Sequence, residues 1–287
     1  MWFKGRLKQG KPSATAQRVA SHRLTFERVA APYGDPQADL ALAREVAGGL
    51  TPATGRMHEY LRARTAFFDH AVVDALDRGT SQVVIGAAGY DGRAFRYAKP
   101  GVVWFELDHP STQADKVAAL VNLGIETGHV RFVAADFATD PVAQRLVDAG
   151  VDTTRRSLFL LEGVAVYLEP PVLDRLLRQL REVAAKDSRL ALSVSLATYD
   201  PDARARFQAA VAAMGEPARS TLAPDEAAAM LSDAGWEMPA VDAVGPPPAT
   251  SPEATTWADD LSRRERLRMA GFLVAVASGP AAAAERL

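Results

Sequence analysis

From Gln82 onward the chain alternates short apolar runs with helical stretches, and this rhythm restricts the fold more than any other feature. Val83-Val84-Ile85, Val102-Val103-Trp104-Phe105, Val130-Arg131-Phe132-Val133, Leu158-Phe159-Leu160-Leu161 and Leu190-Ala191-Leu192-Ser193-Val194 have the length and side chains of buried strands. Segments with helical spacing at 113–123, 141–149 and 171–185 separate most of them. Such alternation builds βαβ units, so the expected fold class is α/β with a doubly wound sheet. Further on, 224–234 reads as a helix with proline first and Gly235 behind it. The stretches 236–244 and 267–277 read as strands, with a proline-rich loop at 245–251 between them. Strands joined this way pair antiparallel and bring the mostly parallel sheet to about seven strands.

The first 80 residues follow another pattern. Apolar residues at helical spacing predict helices over 15–28, 39–46 and 55–76. Pro32-Tyr33-Gly34-Asp35-Pro36 breaks the first, and Gly48-Gly49 closes the second. The expected division is an N-terminal helical cap or lid over 1–80, an α/β core over 81–278 and a flexible tail over 279–287.

Composition removes several classes of function. There is no cysteine among the 287 residues, which excludes disulfides and thiolate chemistry. The net charge is −2 with both signs interspersed, and Arg155-Arg156 and Arg263-Arg264 are the only short basic clusters away from the N-terminus. Neither a nucleic-acid nor a membrane-surface partner is expected. No apolar run approaches the roughly 20 residues of a membrane span, and no apolar segment follows the basic residues at the start. The expected location is cytoplasmic. No grouping of His, Asp and Glu has metal-ligand spacing, so no metal is expected. The oligomeric state is open, a homodimer included.

Four loops carry candidate chemistry. The first, Gly86-Ala87-Ala88-Gly89-Tyr90-Asp91-Gly92, follows a strand and opens a helix. Glycine there lets backbone approach a nucleotide. Ala88 and Asp91 stand where the second and third glycines of a dinucleotide fingerprint belong. That tells against a pyrophosphate and leaves room for a nucleoside cofactor without one; a plain structural turn also accounts for the loop. The second site is Glu106-Leu107-Asp108 at the end of the next strand, about 20 residues on, where a carboxylate meets ribose hydroxyls or simply faces solvent. Asp136-Phe137 follows the third strand and suits an adenine amino group and ring, or a helix cap and a core aromatic. Glu162-Gly163, with Tyr167 beyond, follows the fourth. In this fold ligands bind beyond the carboxyl ends of the strands, so Gly86, Asp108, Asp136 and Glu162 are expected along one edge.

These segments resemble the leucine carboxyl methyltransferase-type family of S-adenosylmethionine-dependent methyltransferases, including its actinobacterial and polyketide-tailoring members. The resemblance rests on RARTAFFD at 62–69, QVVIGAAGYDGRAFRY at 82–97, WFELDHPSTQADK at 104–116, AADF at 134–137 and LEGVAVYL at 161–168. It covers roughly 13–240 and implies the Rossmann-like class I methyltransferase fold and S-adenosyl-L-methionine as cofactor. Carried over by residue, it implies that Arg64 pairs with the cofactor's methionine carboxylate and that Gly86 touches the cofactor through its backbone. Asp108 would hold the ribose, and Asp136 and Phe137 would meet the adenine. Glu162 would lie near the amino-acid end, and Tyr167 would face the substrate. The chain departs from the family at Ala138, where members that methylate a protein's terminal leucine carry an arginine. A small-molecule acceptor, a carboxylate or phenol of a secondary metabolite, is therefore expected in place of a protein. A carboxylate needs no base and a phenol does. His58, His70 and His109 qualify by residue type only, and none is singled out. Two alternatives remain: a nicotinamide-dependent oxidoreductase, disfavoured by Ala88 and the lack of a hydride-site motif, and a cofactor-binding protein without catalysis.

Overall fold

The computed structural model describes residues 13–52, 54–195, 219–238 and 271–279. Seven strands form one sheet: β1 (Gln82–Gly86), β2 (Val103–Asp108), β3 (Val130–Ala134), β4 (Ser157–Leu161), β5 (Arg189–Ser193), β6 (Trp236–Glu237) and β7 (Phe272–Ala277). Their order is β3-β2-β1-β4-β5-β7-β6. The first five run parallel, and β7 pairs antiparallel with both β5 and β6. The sheet and its strands are those the sequence predicts, with ends moved by a few residues.

Strand alternation sends side chains into two cores. Val83, Ile85, Trp104, Leu158 and Leu160 face one way, and Val84, Phe105, Phe159 and Leu161 face the other. Both faces are therefore apolar, the mark of a parallel sheet covered on both sides. One face is covered by α7 (Pro170–Glu182), whose Leu173, Leu176, Leu177 and Leu180 recur at helical spacing, and by α6 (Val142–Asp148) and α8 (Pro224–Asp233). Trp236 completes this core, donating from Nε1 to the Leu177 carbonyl at 3.0 Å.

The other face receives α2 (Pro36–Ala47), α3 (Arg56–Asp77) and α5 (Pro110–Asn122), with Phe67, Phe68, Val72 and Leu76 of α3 against the sheet. Asp35 caps α2 by accepting from the Gln37 amide at 2.8 Å, and Gly48 ends it in the left-handed region. A first helix, α1 (Ala14–Arg23), packs on α2 and α3. It stops five residues short of the expected 28. Thr25 donates both its amide, at 3.0 Å, and its hydroxyl, at 2.7 Å, to the His22 carbonyl, and this local bonding replaces the helical ladder. The helix expected to open from the glycine-rich turn is there and short, α4 (Arg93–Arg96). Among the described residues no helix is long and apolar enough to cross a membrane. The proline-rich loop, Arg263-Arg264, residues 239–244 and 267–270 of the two expected terminal strands, and the tail beyond 279 lie outside the described residues.

Candidate functional site

In this sheet β1 and β4 are neighbours, and their connections lead away to opposite sides. A crevice opens at such a switch point, beyond the carboxyl ends of the strands. Gly86 closes β1, Asp108 closes β2, Asp136 follows β3 and Glu162 follows β4, so the four predicted loop residues lie along this one edge. Gly86 is packed inward: a Cβ there would lie 2.6 Å from Leu161 Cδ2, and 3.8 Å from the ring tip of Phe137. The turn itself bends at Ala87 and Gly89, with φ of 53° and 48°. Ala87 is a residue with a Cβ in the left-handed region, which costs roughly 1–2 kcal/mol.

Asp108 ties this turn to β2. Its carboxylate accepts from the Gly89 amide at 2.5 Å and from the His109 amide at 2.6 Å. Burial pushes its carboxyl up, and the two backbone donors only partly offset that. Glu106, two residues earlier, has a different role. It is buried against Lys116, whose Nζ donates to it at 2.5 Å and to the Asp91 carbonyl at 2.6 Å. Asp136 uses Oδ1 to accept from the Ala138 amide at 2.9 Å, and its Oδ2 takes no hydrogen bond among the described residues.

A buried ionic network underlies the crevice. Arg93, 0% exposed, donates to Asp69 (2.7 Å), Asp91 (2.5 Å), Glu162 (2.5 Å) and the Thr65 carbonyl (3.1 Å). It thereby joins α3, the glycine-rich turn and the end of β4. Arg23 of α1 reaches Glu162 at 3.1 Å and Asp91 at 3.3 Å, and its Nε is buried without a partner. Arg28 bridges Asp69 and Asp39, and Arg96 also binds Asp39. Arg64 donates from Nε to Glu162 at 3.0 Å. Five arginines thus meet four carboxylates, and one positive charge is left over.

That surplus has a place to act. Arg64 is only 9% exposed, yet its Nη1 and Nη2 make no hydrogen bond among the described residues. Its guanidinium lies over the Tyr60 ring, 5.8 Å from the centroid, and in the field of Tyr167. Beside it runs Gly163, with φ of 67°, where a Cβ would come within 2.6 Å of Nη1. Burial works against the charge on Glu162, but Arg93, Arg23 and Arg64 outweigh it and hold its carboxyl far below the usual range. Tyr167 ends a 3-10 turn (Ala165–Tyr167) that is pinned by the Arg219 amide on the Val166 carbonyl at 2.7 Å.

The sequence reading singled out Arg64 and Glu162 and missed Arg23 and Arg93, which also bind Glu162, and Asp91 and Asp69, to which Arg93 also donates. Arg93 left a trace, being charged amid the otherwise buried Ala94, Phe95 and Tyr97. Arg23 left none, because its contact with Glu162 joins residues far apart in the chain. Of the histidines named by type, His109 caps α5 and binds Ser111 at 2.8 Å. His58 meets His22, which the sequence had not distinguished. Among the described residues no group of three or more His, Asp or Glu could hold a metal ion.

A model of the leucine carboxyl methyltransferase family matches residues 16–181. A Mycobacterium avium (strain 104) protein, provisionally named an S-adenosyl-L-methionine-dependent methyltransferase, is 41% identical over 169 residues, 58% of this chain and 53% of that protein. A protein of the same name from Mycobacterium sp. (strain JLS) is 36% identical over 222 residues, 68% of this chain and 72% of its own length. The chain thus spans about half the length of the first curated relatives it matches. A crystal structure from Thermobifida fusca YX, provisionally titled a methyltransferase, covers 97% of this chain and 100% of that one with a TM-score of 0.57. At 19% identity it speaks to the class I methyltransferase fold, Rossmann-like α/β, and to nothing finer. By the extent of the family match and the identity to these relatives, the chain belongs to the leucine carboxyl methyltransferase family of S-adenosylmethionine-dependent methyltransferases.

Proposed function

We propose that this protein is an S-adenosylmethionine-dependent O-methyltransferase that acts in the cytoplasm on a small-molecule acceptor, a carboxylate or phenol of a secondary metabolite. The observation that carries the reading is the uncommitted fork of Arg64, buried beside Glu162 at the β1/β4 switch point. A planar pair of N–H groups with surplus positive charge suits a carboxylate. S-adenosylmethionine offers one at its amino-acid end, and when bound it supplies an electrophilic methyl carbon.

The rest of the edge fits the same molecule. Asp108 stands where ribose hydroxyls would donate to it, and Asp136 keeps Oδ2 for an adenine amino group. Phe137 offers ring contact between the ends of β1 and β3. Gly86 and the turn after it bring backbone close. Glu162 is held by three arginines and fixes Arg64 in place, while also presenting negative charge near an ammonium. Tyr167, in the field of Arg64, would face the acceptor. Methyl transfer is an in-line displacement, so these residues contribute by orienting the reactants and excluding water.

Calorimetric titration with S-adenosylmethionine, and separately with a nicotinamide dinucleotide, tests this. The first ligand alone is expected to bind. Arg64→Met and Asp108→Ala should each weaken it by about 1–3 kcal/mol, the scale of a charge-assisted hydrogen bond. Tight dinucleotide binding without a response to S-adenosylmethionine would sink the methyltransferase reading.

A further inference from the structure

Two histidines meet where α1 crosses α3. His22 Nδ1 lies 3.2 Å from His58 Nδ1, and the ring centroids are 5.4 Å apart. Phe26 packs on both, stacked at 6.2 Å on His22 and edge-on at 5.0 Å to His58. Neither ring touches a carboxylate among the described residues. A contact between two ring nitrogens requires that one carries the proton and the other accepts it. With His22 as donor, its neutral ring is fixed in the Nδ1–H form, and the lone pair on Nε2 makes no hydrogen bond among the described residues.

The pair lies beside the candidate site. His22 is followed directly by Arg23, whose guanidinium rests on Glu162 and Asp91. His58 shares α3 with Tyr60 and Arg64. From α3, His58 and Arg64 act on His22. Arg23 of α1 is committed to Asp91 and Glu162, and Asp39 of α2 to Arg28 and Arg96. Burial, then His58 and Arg64, holds His22 below its ordinary value and favours its neutral form.

We propose that His22, oriented by His58, is the general base of this enzyme, and that the acceptor group is therefore a hydroxyl such as a phenol. This rests on the methyltransferase reading above and narrows it. In the step, His22 Nε2 takes the proton from the acceptor O–H while an oxygen lone pair forms the new C–O bond to the methyl carbon. The C–S bond breaks, its electron pair stays on sulfur, and the sulfonium becomes a neutral thioether. The imidazolium then passes its proton to water. His58 Nδ1 accepts from the His22 ring and holds its tautomer and orientation, as the third member of a triad does. The positive charge of Arg23 and Arg64 favours an acceptor moving toward the phenolate. A carboxylic acid, already ionised, would give this pair nothing to do.

The test uses the whole protein with His22→Gln and His58→Gln, a panel of phenols, and the matching benzoic acids. His22→Gln should lower kcat/KM for phenols by about 10²–10⁴. It should bind S-adenosylmethionine within about twofold of the wild type and lose the acidic limb of the pH profile. His58→Gln should move that limb and have a smaller effect on rate. Turnover confined to the benzoic acids, or wild-type phenol turnover by His22→Gln, overturns the assignment and leaves the methyltransferase reading standing. A wild type that binds no S-adenosylmethionine sinks both. A second measurement needs no turnover: nitrogen NMR of histidine-labelled protein with S-adenosylhomocysteine at pH 7. A neutral His22 protonated on Nδ1 is expected. A proton on Nε2, or a charged ring, overturns the base.

Discussion

Asp69 shows how much one side chain can carry when it is fully buried between cations. Arg28 and Arg93 both donate to it, and it is 0% exposed. Burial opposes its charge, but the two guanidinium groups win and bring its carboxyl down to about 2 from an ordinary 3.8. A carboxyl depressed on folding contributes stability that is complete above its unfolded value and is lost as pH falls through the folded one. The window here is pH 4 down to 2, and the contribution is on the order of 2–3 kcal/mol. Urea unfolding of wild type across that window should therefore show a steep acid limb. Asp69→Asn should flatten the limb and cost about 3–5 kcal/mol at neutral pH, because it strands two buried arginines. An unchanged acid limb would show that Asp69 is not the group being titrated. Legibility at this scale followed chain position. Asp108, Asp136 and Glu162 could be read because each ends a strand, and strand ends are visible as pattern breaks. Asp69 sits mid-helix among Phe67, Phe68 and Val72, where nothing local distinguishes a keystone from a surface acid.

Elements were legible wherever periodicity alone determines them. The seven strands and the helices of more than three turns, α2, α3, α5 and α7, answer to apolar spacing, because burying one face is what forms them. The miss at the end of α1 was decided by hydrogen bonds, Thr25 halting the helix at Arg23. The connection after β4 gives a test of element geometry. Gly163 runs against the Arg64 fork with φ of 67°, and its amide donates to Ser193 at 2.7 Å, which fixes the path. Gly163→Ala puts a methyl 2.6 Å from Nη1. The expected cost is about 1–2 kcal/mol in stability from the left-handed backbone. Binding of S-adenosylmethionine should weaken by at least about tenfold, as a displaced charge-assisted donor implies. A melt and a calorimetric titration read the two effects separately; unchanged affinity would mean that the fork does not face the ligand.

For the molecule as a whole, the helices before residue 80 are bound to the sheet twice over. Phe67, Phe68, Val72 and Leu76 form one wall of a core with Val83, Ile85, Trp104 and Leu160, and Arg23, Arg28 and Arg64 enter the ionic network from the same side. A chain beginning at residue 81 would expose the part of that sheet face now covered by α2 and α3, and leave Arg93 short of Asp69. It is expected to show no cooperative thermal transition, and a sharp one would establish the α/β part as a self-sufficient domain. How these layers meet was the least legible part of the sequence, since the contacts that join them lie between residues remote in the chain. The order of strands also has a consequence in time. Among the described residues β6 pairs only with β7, and β7 also pairs with β5, so neither of those pairings is made until the polypeptide has been made through Ala277. On the ribosome Trp236 is synthesised long before the strand that will shelter it, and at about 5–20 residues per second the wait lasts seconds. Throughout that interval the nascent protein carries an open sheet edge next to an uncovered tryptophan, a state that invites pairing with a neighbouring nascent chain or capture by a chaperone.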